Sequence, residues 1–168
     1  MAPDTGIRDA VTGLYVREHF DDVIARELER ARRHGTALSV VSVVLVNRDD
    51  LAAGSEEIAD AVLAEAARVL QRNVRETDLA FRWEDDELLL LLYEANAAAC
   101  AQKVTQLDEL FRPWRDGNGP IAVPVKLRLG GATHETGIVF ASTLQAARAA
   151  TRPGGSGAGS ALDQKIKT

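Results

Sequence analysis

Cysteine is all but missing. Of 168 residues only Cys100 carries a thiol, so no internal disulfide can form, and the chain reads as a protein of a reducing, cytoplasmic compartment. Cys100 lies in Ala97-Ala98-Ala99-Cys100-Ala101, the setting of a small buried helix residue rather than of a reactive thiol. Long apolar runs are missing too. No stretch approaches the roughly 20 residues that span a bilayer, and the longest, Ala37 to Val46, is interrupted by Ser39 and Ser42. The N-terminus lacks the basic-then-apolar pattern of a signal peptide. Nor is positive charge in excess: 20 Lys and Arg stand against 25 Asp and Glu, a net charge of −5. That balance argues against a general nucleic-acid binder and against a polybasic membrane patch. His19, His34 and His134 show no metal-ligand spacing. No glycine-rich loop opens a helix, and no Ser-His-Asp or Cys-His grouping can be assembled. No cofactor and no metal site is expected.

What is present is enough for one domain with a sizeable core. A helix is expected over 17–34, with Phe20, Val23, Ile24, Leu28 and Ala31 on one face, and Gly35 suits its stop. The β-branched run 38–46 reads as a central strand buried on both faces. A polar loop over 47–55 leads to a second helix over 56–74, with Ile58, Val62, Leu63, Ala66, Val69 and Leu70 inward. Two short strand-like pieces, 79–83 and 88–93, form a hairpin. A third helix over 95–114 gives way at Pro113 and the following Gly- and Asn-rich stretch. A strand over 123–133 and a last helix over 142–151 complete the domain, taken as residues 1–153. Residues 154–168 begin as a Gly/Ser-rich flexible linker; 161–168 read as a tail, a fusion scar or an attached peptide.

The chemistry concentrates in Arg82-Trp83-Glu84-Asp85-Asp86-Glu87-Leu88. Four consecutive acids at one turn repel each other unless a cation, an arginine or water screens them. Taken alone, the stretch is a solvated acidic turn. Ahead of it stands Arg75-Glu76-Thr77-Asp78, five residues before Glu84. The chain opens on Asp9-Ala10-Val11-Thr12-Gly13-Leu14.

These three stretches together resemble the GGDEF family of diguanylate cyclases, whose hairpin reads Arg-Tyr-Gly-Gly-Asp-Glu-Phe and whose entry reads Asp-x-Leu-Thr-Gly-Leu. The resemblance covers 9–152. It implies an α+β fold like that of class III nucleotidyl cyclases, a central five-stranded, mostly antiparallel sheet flanked by helices. The signature is degenerate, with Glu84 and Asp85 in place of the two glycines that let a nucleotide approach closely. Family members hold metal with one carboxylate at the end of the first strand and one in the hairpin turn. The first position falls within Val43–Val46, which has no carboxylate, so Asp86 and Glu87 match the turn acids as vestigial catalytic residues. Asp60 matches a guanine-recognition residue whose usual Asn partner falls near Leu51. Arg148 and Arg152 match phosphate-contacting residues of the last helix, or are simply solvated helix-end charges. These three complete a vestigial nucleotide site.

The Arg-x-x-Asp motif that binds the product, cyclic di-GMP, is retained as Arg75 and Asp78 at the family spacing. A further basic residue aligns near Gln106, with Lys103 the nearest substitute. Arg75 and Asp78 read equally as a ligand pair, through charge-assisted contacts to phosphate and guanine, or as the cap of a helix-to-strand turn. The functional expectation is a catalytically inactive signalling domain, a cyclic di-GMP receptor or a module docking a signalling protein. Its rivals are a weak or atypical cyclase and a nucleotide-independent interaction module, a homodimer included. Neither a nucleic-acid nor a membrane partner is expected.

Overall fold

The computed structural model describes residues 6–151. At its centre lies β2 (Leu38–Leu45), buried at all eight positions. It pairs antiparallel with β4 (Glu87–Tyr93) on one side and with β5 (Leu127–Thr133) on the other. β3 (Leu79–Glu84) pairs antiparallel with β4, and a two-residue strand, β1 (Tyr15–Val16), lies parallel to β3. The order is β1-β3-β4-β2-β5, a five-stranded and mostly antiparallel sheet, so the expected α+β architecture is met.

Strand alternation explains how continuous apolar runs serve this sheet. Leu88, Leu90 and Leu92 join Val41, Val43 and Leu45 on one face, beneath α3 (Glu56–Arg72) and α4 (Ala97–Arg115). Leu89 and Leu91 turn to the other, with Leu38 and Val40, beneath α1 (Arg17–His34) and α5 (Phe140–Ala149). Phe20 of α1 meets Phe81 and Trp83 edge to face at 5.3 and 5.0 Å, a geometry favoured by the ring quadrupoles.

Some elements depart from the sequence expectations for local physical reasons. α1 starts and stops where expected; Gly35, at φ 64°, places its own N–H and that of Thr36 on the last carbonyls, a left-handed closure that a Cβ would penalise. The supposed loop over 47–55 contains α2 (Arg48–Gly54), which buries only Leu51. Pro113 lies inside α4, and Gly117 and Asn118 close that helix by donating to Trp114 and Pro113. β5 begins at Leu127 rather than 123, because Pro124 has no N–H to give and Val125 N–H goes to the Trp114 carbonyl. Ile58 is 39% exposed, although the helical pattern placed it inward. Arg152 and the linker and tail over 154–168 lie outside the described residues.

Helices press on β5 from both faces. A Cβ on Gly130 would stand 2.5 Å from the Ala147 carbonyl oxygen and 2.5 Å from the Ala150 methyl, whereas one on Gly54 would meet nothing within 4 Å. Gly130→Ala is therefore expected to cost about 1–3 kcal/mol through forced displacement of α5. Gly54→Ala should be tolerated; urea denaturation of both variants checks the contrast.

Candidate functional site

The hairpin turns at Asp85 and Asp86, between the paired Glu84 and Glu87. Alternation sends Glu87 to the same face as Leu89 and Leu91, and its side chain is 0% exposed. A buried carboxylate needs partners, and it has them. Arg148 Nε donates to both carboxylate oxygens at 3.1 and 2.9 Å, Arg148 Nη2 donates to Oε1 at 2.9 Å, and Ser42 Oγ donates to Oε2 at 2.7 Å. The hydrogen bond to Glu87 is the main cause holding the Arg148 guanidinium above its ordinary range, against the opposing effect of burial.

Glu84 and the backbone of the turn are held by further arginines. Arg17 Nη1 lies 2.6 Å from Glu84 Oε1, with Arg148 3.7 Å from the same oxygen. The Arg17 guanidinium also stacks over Trp83 at 4.3 Å. Arg82 donates to the carbonyls of Glu84 and Asp85 at 2.9 and 2.8 Å, and Arg48 to that of Asp85 at 3.2 Å. Arg82 also reaches Asp9 at 3.1 Å, and Asp9 accepts from the backbone and hydroxyl of Thr12 at 2.8 Å each. The opening motif and the hairpin are thus stapled by one guanidinium.

This donor set does not fit a divalent cation. The end of β2 offers only Val43, Val44 and Leu45, followed by Val46. Glu87 faces an arginine, and among the described residues no three His, Cys, Asp or Glu side chains gather in a cation-holding group. Beside the hairpin, between its turn, α1 and α3, opens a cleft of about 620 Å³ that Asp60 lines. Six carboxylates line it, Glu56 and Glu84 among them, against the guanidiniums of Arg17, Arg48 and Arg82. Arg148, Asp86 and Glu87 are not in its wall. The residues expected to form a vestigial nucleotide site are therefore divided.

Arg75, Asp78 and Lys103 are brought together. They line a second cleft of about 680 Å³ between the α3–β3 turn and α4, with Arg72, Asn73 and Gln106. Asp78 is 3% exposed at its side chain, and both carboxylate oxygens are engaged. One accepts from Arg75 N at 3.0 Å, the other from Tyr93 N at 3.0 Å, and the Arg75 guanidinium approaches both at 3.3–3.4 Å. The same guanidinium donates to the Tyr93 carbonyl, yet the Arg75 side chain remains 55% exposed. Asp78 thus caps the turn and orients Arg75. Lys103 donates to the Asn73 carbonyl and, at 2.8 Å, to Gln106 Oε1. Sequence reasoning missed Arg72, Asn73, Arg17 and Ser42; the family resemblance, which places a basic residue near Gln106 with Lys103 as its substitute, was the signal that α4 borders this cleft.

Two outcomes follow from these contacts. Arg148→Ala strands a buried carboxylate and should cost about 3–5 kcal/mol, with part recovered by adding Glu87→Gln; urea denaturation reads both. For Asp9, burial pushes the carboxyl up, but the Thr12 hydrogen bonds and Arg82 outweigh it and hold it below the ordinary 3.8. A lowered folded-state value means stability present above the unfolded value and lost as pH falls through the folded one. The difference in melting temperature between wild type and Asp9→Asn should therefore be full near about pH 6 and shrink below about pH 4.

The molecule can now be set beside known proteins. The family model described as "Diguanylate cyclase, GGDEF domain" matches residues 7–153. Diguanylate cyclase DosC of Escherichia coli is 29% identical over 89 residues, 52% of this chain and 19% of that protein, so the match spans about a fifth of the relative's length. Diguanylate cyclase SiaD of Pseudomonas aeruginosa, solved with its activator SiaC, superposes with a TM-score of 0.76 at 28% identity, covering 88% of this chain and 57% of that one. The GGDEF domain of DgcB from Caulobacter crescentus, solved with c-di-GMP, shares the fold at a TM-score of 0.75 and 20% identity over 86% and 87% of the two chains. The family model spans nearly all of the described residues and the sheet topology agrees with it, so the chain belongs to the GGDEF domain family.

Proposed function

We propose that this is a catalytically inactive GGDEF-type signalling domain that takes up cyclic di-GMP in the cleft of Arg75, Asp78 and Lys103. The observation that carries the reading is the opposite charge of its two clefts. Around Arg75 stand Arg72 and Lys103, three cations against the two carboxylates of Asp78 and Glu94, with Asp78 already spent on orienting the arginine. Around Asp60, six carboxylates outnumber three arginines. A doubly anionic dinucleotide is attracted to the first and a nucleoside triphosphate is repelled by the second. Inactivity is supported further by Arg148, which occupies Glu87, and by Glu84 and Asp85, whose side chains fill space that glycines would leave. The DgcB domain bound to c-di-GMP makes the ligand class reasonable for this fold.

A second reading, docking of a signalling protein, is favoured by one observation: SiaD is solved in complex with a protein activator. The cytoplasm is the proposed compartment; no helix among the described residues is long and apolar enough to cross a membrane.

Calorimetry with cyclic di-GMP tests the receptor reading. Arg75→Ala should cost about 1.5–3 kcal/mol, roughly ten- to a hundred-fold in affinity. Asp78→Ala should weaken binding by releasing Arg75, and Asp86→Ala should leave it nearly unchanged. No heat of binding at high micromolar ligand sinks the receptor reading. Cyclic di-GMP made from GTP and Mg²⁺ or Mn²⁺ above a blank, and abolished by Asp86→Ala, would make the protein a weak cyclase instead.

A further inference from the structure

Among the described residues β5 is the last strand of the sheet, and its outer edge lies open to a cleft of about 460 Å³ between α4 and α5. The register shows which backbone groups face out. Val46 N–H donates to the Lys126 carbonyl and His134 N–H to the Leu38 carbonyl, so the even-numbered residues of the strand exchange hydrogen bonds with β2. Leu129, Gly131 and Thr133 therefore turn their N–H and C=O groups toward the cleft. Leu127 shows the same alternation: its outward carbonyl accepts from Arg115 at 3.3 Å. The cleft walls are apolar and small. Ala101 and Val104 stand on the α4 side, Ala146 and Ala150 on the α5 side, and Glu135 is the one charged residue in its lining, at the Thr133 end.

We infer that this edge is a β-augmentation site that takes an extended peptide segment of a partner protein as a sixth strand. Three outward N–H and C=O pairs specify an extended backbone. Alanine on both walls leaves room for uncharged, β-branched side chains pointing alternately to α4 and α5. Antiparallel addition sets the N-terminal end of the segment beside Glu135, where a lysine or arginine complements the charge. The walls flank the edge on both faces, so a lone segment enters where a second sheet carrying its own helices would collide with α4 and α5. Nothing ordinarily used to blunt an edge, neither a proline nor an inward charge, stands at 129–133. The inference is independent of nucleotide binding, and its failure leaves the Arg75 cleft untouched.

The test is amide exchange and chemical-shift titration of the full chain with the hexapeptide acetyl-Lys-Val-Thr-Val-Ala-Val-amide. A control peptide carries proline at its third and fifth positions. Before addition, the amides of Arg128, Gly130 and Ala132 should be protected and those of Leu129, Gly131 and Thr133 should exchange freely. With peptide, the latter three should shift and slow about tenfold or more, and Ala101→Arg, on the exposed wall of α4, should weaken binding about tenfold. Three outcomes overturn the proposal. In one, these amides are already protected in the free chain, meaning that its own residues or a second copy cover the edge. In another, the proline peptide binds equally. In the last, no shift appears at millimolar peptide.

Discussion

A carboxylate driven into an apolar face by strand alternation is the constraint on which this domain turns. Glu87 cannot point outward without reversing Leu89 and Leu91, so it must be neutralised where it lies. Arg148 does this from α5 and Ser42 from β2. The same helix lies close against the sheet, with the Ala147 carbonyl and the Ala150 methyl 2.5 Å from where a Cβ on Gly130 would stand. In water such an ion pair contributes little; with one member fully buried, losing either partner is costly.

The same economy of charge separates the two clefts. Arginines around the hairpin are consumed in holding carbonyls and carboxylates that lie beside each other in the chain. Around Arg75 the arrangement is reversed. A nearly buried aspartate is spent on the backbone and on aiming one guanidinium, which leaves Arg72, Arg75 and Lys103 to outweigh Glu94 in the cleft wall. Preorganisation of this kind lowers the ordering cost that a ligand would otherwise meet.

Much of this was legible in the residues. The first helix, the central strand and the hairpin carry periodicities long enough to read, and the spacing of Arg75, Asp78 and Glu84 marks the turn where the structure brings Arg75 and Asp78 into contact. What escaped has physical reasons. β1 is two residues long and α2 seven, too short to show a period. Pro113 reads as a stop, but the missing N–H of a proline in a last turn costs a single bond, and the helix closes beyond it. Glu87 was grouped with its neighbours as one acidic tip, although counting back by twos from Leu91 and Leu89 places it inside. Its partner, sixty-one residues away, left no local trace. Asp78 reads from the sequence equally as a ligand group or as a turn cap; the capping bond from Arg75 N–H lies within the motif, whereas the Tyr93 N–H that claims its other oxygen comes from a neighbouring strand.

The staple between Asp9 and Arg82 has a mechanical meaning. The start of the described chain is sewn to the hairpin by β1, by the Thr12 turn and by one guanidinium that also grips the carbonyls of Glu84 and Asp85. Leu14, in the middle of the same segment, is fully buried in the core, so the entry to α1, the edge of the sheet and the acidic turn form one rigid unit.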